Sequence, residues 1–146
     1  MRSIAVATVA ALAVLPLTGC LGGGVPTADE GDCLQVSQLG TEVESLPTVS
    51  CDDEHEGEVY AVLDLELEGE YDPQAIVDAA EEACLERFDD FIGLAYEDSE
   101  LDIFYLYPLE DGWASGERGT LCAVIAPDWE TGELTMVTGS LAGAAR

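Results

Sequence analysis

The clearest alternation of apolar and polar positions runs over residues 58–65, where Val59, Ala61, Leu63 and Leu65 fall on one side and Tyr60 and Val62 on the other. A period of two predicts a strand. The period changes over residues 71–93. There Ile76, Ala80, Cys84, Phe88 and Phe91/Ile92 recur every three to four positions, while Asp78, Glu81, Glu82, Glu86, Asp89 and Asp90 occupy the remaining surface. That is an amphipathic helix. Asp72 is placed to cap it, Pro73 suits its first position, and Gly93 follows the last periodic residue as a stop. Residues 101–107 predict a second strand, apolar on both sides except at Asp102, as a central strand would be. Residues 119–126 predict a third, and 133–138 a fourth after a turn at 128–132. Residues 33–50 are weakly patterned, with Leu34, Val36, Val43 and Val49 as scattered strand-like positions. Strand, helix and three further strands predict an α+β fold, with one main helix packed on a mostly antiparallel sheet.

The longest apolar run stands apart from these elements. After Arg2, residues 4–17 are nearly all Ala, Val, Leu or Ile, and Leu17-Thr18-Gly19-Cys20 follows. This is the layout of a secretory signal peptide. Its end resembles the lipobox of bacterial lipoproteins, which implies that residues 1–19 are removed and that Cys20 is lipidated, with palmitate among the acyl chains. The run is shorter than the roughly 20 residues a spanning helix needs. Each buried methylene contributes about 0.8 kcal/mol, so two or more chains give a stable anchor. Residues 20–31, with Gly22-Gly23-Gly24 and Pro26, read as a flexible tether. Residues 32–146 then form a single domain on the extracytoplasmic face of the cell membrane.

Charge narrows the set of partners. The chain has 31 Asp and Glu against 4 Lys and Arg, a formal net charge of −27. Such a field excludes nucleic acid and repels anionic lipid, while favouring cationic partners or loosely held divalent counterions. The sequence lacks both Lys and Asn, so it has no N-linked glycan site. Genomic base composition is the first reading of this bias and a saline habitat the other.

With Cys20 committed to lipid, Cys33, Cys51, Cys84 and Cys122 remain. An even number in an exported domain predicts two disulfides, with three connectivities. No C-x-x-C or C-x-x-H spacing suggests zinc. Cys84 lies on the apolar stripe of the helix and Cys122 inside a strand, so joining them staples helix to sheet. Cys33 and Cys51 then close the weakly patterned region.

Several stretches resemble the septum formation family of actinobacterial envelope proteins. They are Gly31-Asp32-Cys33-Leu34, Val49-Ser50-Cys51 with His55 and Glu58-Val59, Ala83-Cys84 before Phe88, and Ala95-Tyr96-Glu97-Asp98-Ser99. Phe104-Tyr105-Leu106-Tyr107-Pro108, Trp113, Gly116-Glu117-Arg118, Cys122 and Gly139-Ser140-Leu141 complete the set. The resemblance implies a membrane-tethered extracytoplasmic domain linked to septum formation, and it supplies no catalytic residues. Where the family pattern has Pro before the histidine, this chain has Glu54.

Candidate chemistry is sparse. His55 is the only histidine. Asp52-x-Glu54-x-Glu56-Gly57 imitates half a calcium loop, but Leu63 stands at the twelfth position and a strand follows. The expected reading is a solvated acidic turn, with His55 bonded to a neighbouring carboxylate or backbone group, and no metal or cofactor. Ser99, Ser115 and Ser140 lie in no G-x-S-x-G elbow, and bridged cysteines are not nucleophiles, so no enzyme is expected. Trp113 and Trp129, each read as lying in a loop, join His55 as candidate ligand or partner contacts, with a lid on the core as the alternative for Trp113. Arg118 is expected to form a buried bidentate pair with a carboxylate. The expected function is a non-catalytic interaction module anchored to the membrane through Cys20, with an envelope or septal protein as partner. The alternative is a lipoprotein that binds a small molecule, glycan or cation through the Trp113 loop or the Asp52–Glu58 cluster.

Overall fold

The computed structural model describes residues 24–40, 43 and 45–146. The signal peptide, the lipidation of Cys20 and the start of the tether lie outside the described residues. Strands β1 (Cys33–Leu34), β2 (Thr48–Val49) and β3 (Gly57–Asp64) precede the long helix α1 (Pro73–Ile92). Strand β4 (Asp102–Leu106), the short helix α2 (Glu110–Ala114) and β5 (Gly119–Ile125) follow. The strands form one sheet in the order β2-β1-β3-β5-β4, antiparallel throughout. This is the expected α+β arrangement of one main helix on an antiparallel sheet.

Helix α1 forms where its local signals place it. The Asp72 carboxylate accepts the backbone N–H groups of Gln74 at 3.1 Å and Ala75 at 3.2 Å, satisfying donors that the first turn leaves free. Gly93 ends the helix in the left-handed conformation, φ 81°. Ile76, Ala80, Cys84, Phe88 and Ile92 are its buried stripe, and they pack on the front of the sheet. Both disulfides have the anticipated partners: Cys33 with Cys51, and Cys84 with Cys122.

The sheet departs from the sequence reading at three places. First, a bulge interrupts the pairing of β3 with β5 between Val59 and Ala61. One extra residue reverses the alternation. Tyr60 and Ala61 therefore both enter the front core with Cys84, Phe88 and Cys122, whereas Val59 joins Leu34, Leu121 and Ala123 on the back. Second, β4 is an edge strand and β5 lies between β3 and β4. Its apolar residues on both sides reflect a sheet covered on both faces, not a central position. Third, residues 133–138 form no strand. They meet the domain through isolated bridges, Pro127 with Leu134 and His55 with Val137, while the short β1 and β2 complete the sheet.

The back face is covered by the first described residues. Val25, Ala28, Val36 and Leu46 pack against Leu34, Val59, Leu121 and Ala123. The Gly31 N–H donates to the Val59 carbonyl at 2.8 Å, and the Val59 N–H donates to the Asp32 carbonyl at 2.9 Å. Part of the segment read as a tether thus docks on the sheet.

Candidate functional site

Residues 51–58 and the segment after β5 build a polar knot at one end of the sheet. The chain returns from β5 and straps across the turn that precedes β3. The Val137 N–H donates to the His55 carbonyl at 2.8 Å, the His55 N–H to the Val137 carbonyl at 2.9 Å, and the Gly139 N–H to the Cys51 carbonyl at 2.6 Å. Asp52, Asp53 and Glu54 are solvated, as expected of an acidic turn. His55, Glu56 and Glu58 instead are buried: the strap pairs with His55 and donates to Glu58, whereas Glu56 is held by Leu34 and Ser37. The His55 Nδ1 lies 3.0 Å from the Asp53 carbonyl, so that nitrogen is the donor. Its Nε2 is buried without a partner among the described residues.

The two buried carboxylates act as backbone acceptors. Glu56 receives the Ser37 N–H at 2.7 Å. Glu58 receives the Ser140 hydroxyl at 2.8 Å and the Leu141 N–H. A Glu58 oxygen also lies within 4.8 Å of the sulfurs of Cys33 and Cys51. The disulfide removes both thiolates, leaving a packing contact rather than a metal-ligand set. In sequence, Glu56 reads only as part of half a calcium loop and Glu58 as part of the same acidic cluster, because they are two carboxylates among 31 acidic residues, and only tertiary contacts distinguish them as buried acceptors.

The two tryptophans part company. Trp113 lies in α2 rather than in a loop, is buried, and donates its indole N–H to the Gly69 carbonyl at 3.1 Å. It closes a core of Leu65, Ile76 and Ala80, which is the lid arrangement. Arg118 stacks on that ring, its Cζ 3.5 Å from the centroid, and donates to the Trp113 carbonyl at 3.0 Å. A cation–π stack thus takes the place of the expected carboxylate pair. Trp129 is exposed, with its N–H held by the Glu100 carbonyl at 3.0 Å. An open groove of about 430 Å³ runs beside Met136, Ser140, Leu141 and Arg146.

Two tyrosines, Tyr60 buried and Tyr96 half-buried, pack in the core near α1. Tyr60 donates its hydroxyl to the Cys84 carbonyl at 2.8 Å, and burial pushes its phenol above the ordinary range. Tyr96 donates to the Asp102 carboxylate at 2.6 Å. That bond, then burial, pushes its phenol up to about 12.

A family model described as septum formation matches residues 30–146. The chain belongs to the septum formation family. The matched span holds both disulfides, the polar knot and the Trp129 turn. No curated protein and no solved structure matches the chain. Among the described residues, no helix is long and apolar enough to cross a membrane.

Proposed function

We propose that this septum formation domain is a non-catalytic interaction module of the cell envelope, held on the extracytoplasmic face of the membrane by lipid on Cys20. The observation that carries the reading is where the family match begins. It starts at residue 30, which leaves the apolar run and its terminal Cys20 outside the domain, free to serve as an anchor. Two disulfides accord with an oxidising, exported setting. The buried carboxylates hold backbone donors instead of facing a cleft, which suits a scaffold better than acid–base chemistry.

The test is to image tagged full-length protein in dividing cells beside a Cys20→Ala version, with membrane fractionation of both. The expected outcome is enrichment at septa and retention in membranes, each lost with Cys20→Ala. Uniform envelope labelling removes the septal role, and membrane retention that survives Cys20→Ala removes the lipid anchor.

A second reading, a lipoprotein that binds a small molecule, glycan or cation, draws on the groove of about 430 Å³ beside Met136 and Arg146. That volume is within the range of ligand sites. Thermal shifts with sugars and divalent cations, lost when Ser140 is replaced by a bulky residue, would favour it.

A further inference from the structure

The turn after β5 holds an indole outside the protein. Trp129 is 65% exposed, yet its indole is held at one point. Its N–H is bound to the Glu100 carbonyl, and Asp128 locks the turn beneath it. The Asp128 carboxylate accepts the Glu130 N–H at 2.9 Å and the Thr131 N–H at 3.0 Å, bonds that lower its pKa from the ordinary value. The Asp128 N–H donates to the Glu133 carbonyl, and its own carbonyl accepts the Gly132 N–H, both at 2.7 Å. An exposed aromatic side chain fixed before binding loses little freedom on docking.

Its surroundings specify the chemistry of a partner. Trp129 is bonded to Glu100, flanked by Asp128 and Glu130, and close to Glu133 through the turn. No Lys or Arg occurs between Arg118 and Arg146, and Arg146, whose carbonyl accepts the Ser99 hydroxyl beside Glu100, is the one base brought near this edge among the described residues. An indole face in a negative field attracts cations through its quadrupole. The same chain uses this pairing internally, where Arg118 covers Trp113.

Topology places the indole at the end of the sheet opposite Gly24. Asp64 pairs with Gly119 at one end of the sheet, and Gly57 pairs with Ile125 at the other. A side chain on Gly24 would meet Glu117, so Gly24 lies near the Gly119 end. Trp129 follows Ile125 at the opposite end, about 20 Å away along β5. Gly24, four residues after Cys20, thus lies at the end of the sheet opposite Trp129.

We propose that Trp129 is the docking platform for an arginine-bearing cationic segment of an extracytoplasmic partner protein, displayed at the membrane-distal end of the domain. The inference rests on the anchored-module reading for its orientation. The carboxylate rim draws the segment in, and the indole face seats a guanidinium.

The test uses full-length protein in detergent micelles and a fluorescent Arg-Gly repeat peptide, with a Glu-Gly repeat as the control. The Arg-Gly peptide should bind and the Glu-Gly peptide should not. Trp129→Ala should weaken binding roughly five- to tenfold, Trp129→Phe less, and Val62→Ala not at all. Equal binding by wild type and Trp129→Ala, or no binding of the Arg-Gly peptide, overturns the inference. Membrane fractionation of Cys20→Ala separates the two readings. Protein retained through Cys20 but lacking Trp129-dependent binding loses only the docking platform. Protein that binds through Trp129 but is retained without Cys20 loses only the anchor.

Discussion

Glu58 and Leu141 stand 83 positions apart, and the Leu141 N–H donates to the buried Glu58 carboxylate. With the Ser140 hydroxyl on the same carboxylate, this contact ties the end of the chain to the start of β3. Glu58→Ala leaves a buried donor without its acceptor. Hydrogen bonds to charged groups contribute about 1.5–3 kcal/mol. We expect Glu58→Ala to lose about that much stability in urea melts and Glu58→Gln, which keeps one acceptor oxygen, to lose less. Hydrogen exchange at Leu141 should accelerate in Glu58→Ala. Unchanged exchange would mean that the strap is held elsewhere.

Gly57 is a site of close approach rather than of unusual backbone. A Cβ there would lie 2.8 Å from the Val124 carbonyl oxygen and 3.0 Å from Ile125 Cγ2. The oxygen belongs to the paired strand and cannot swing aside. Gly57→Ala should therefore cost about 1–3 kcal/mol, as overpacking does. The same change at Gly119, where an added Cβ meets nothing within 4 Å, should have little effect in a parallel melt.

The two disulfides differ in access. Cys84 and Cys122 are both fully buried, whereas Cys51 is partly exposed. Graded dithiothreitol followed by alkylation and mass spectrometry should label Cys33 and Cys51 first. The chain-entropy model gives about 3 kcal/mol for the 18-residue separation and about 4 kcal/mol for the 38-residue one. Losing the helix staple should thus lower stability more.

Alkaline pH should loosen the helix side. The Tyr96 phenol is raised from 10 to about 12, first by its bond to Asp102 and then by burial. A raised folded-state pKa means a contribution fully present below pH 10, lost as pH rises through about 12. The melting temperature should fall across that window, and Tyr96→Phe should flatten the fall. A slope identical in both proteins would assign the transition to other tyrosines.

Helix α1 was legible because its signals are local. Asp72, Pro73, Gly93 and the five-residue stripe act within a turn or two of where they stand, and Cys84 on that stripe pointed to its partner in β5. The solvated part of the acidic turn and the family membership were legible for the same reason, each being carried by short motifs. The bulge at Tyr60 was not legible. Alternation in β3 looks continuous in sequence, and only pairing with β5 shows which residue is extra.

The sequence by itself determined the helix, the main strand before it and the two strands after it, the disulfide partners and the family. Tertiary structure alone decided that β4 lies at the edge, that residues 133–138 strap the domain, and that His55, Glu56 and Glu58 are buried. It also decided that Trp113 is a lid while Trp129 stands in solvent. The reason is range. Capping and periodicity act over a few residues, whereas burial of a polar or aromatic side chain depends on what the rest of the chain lays over it, here from as far as Leu141.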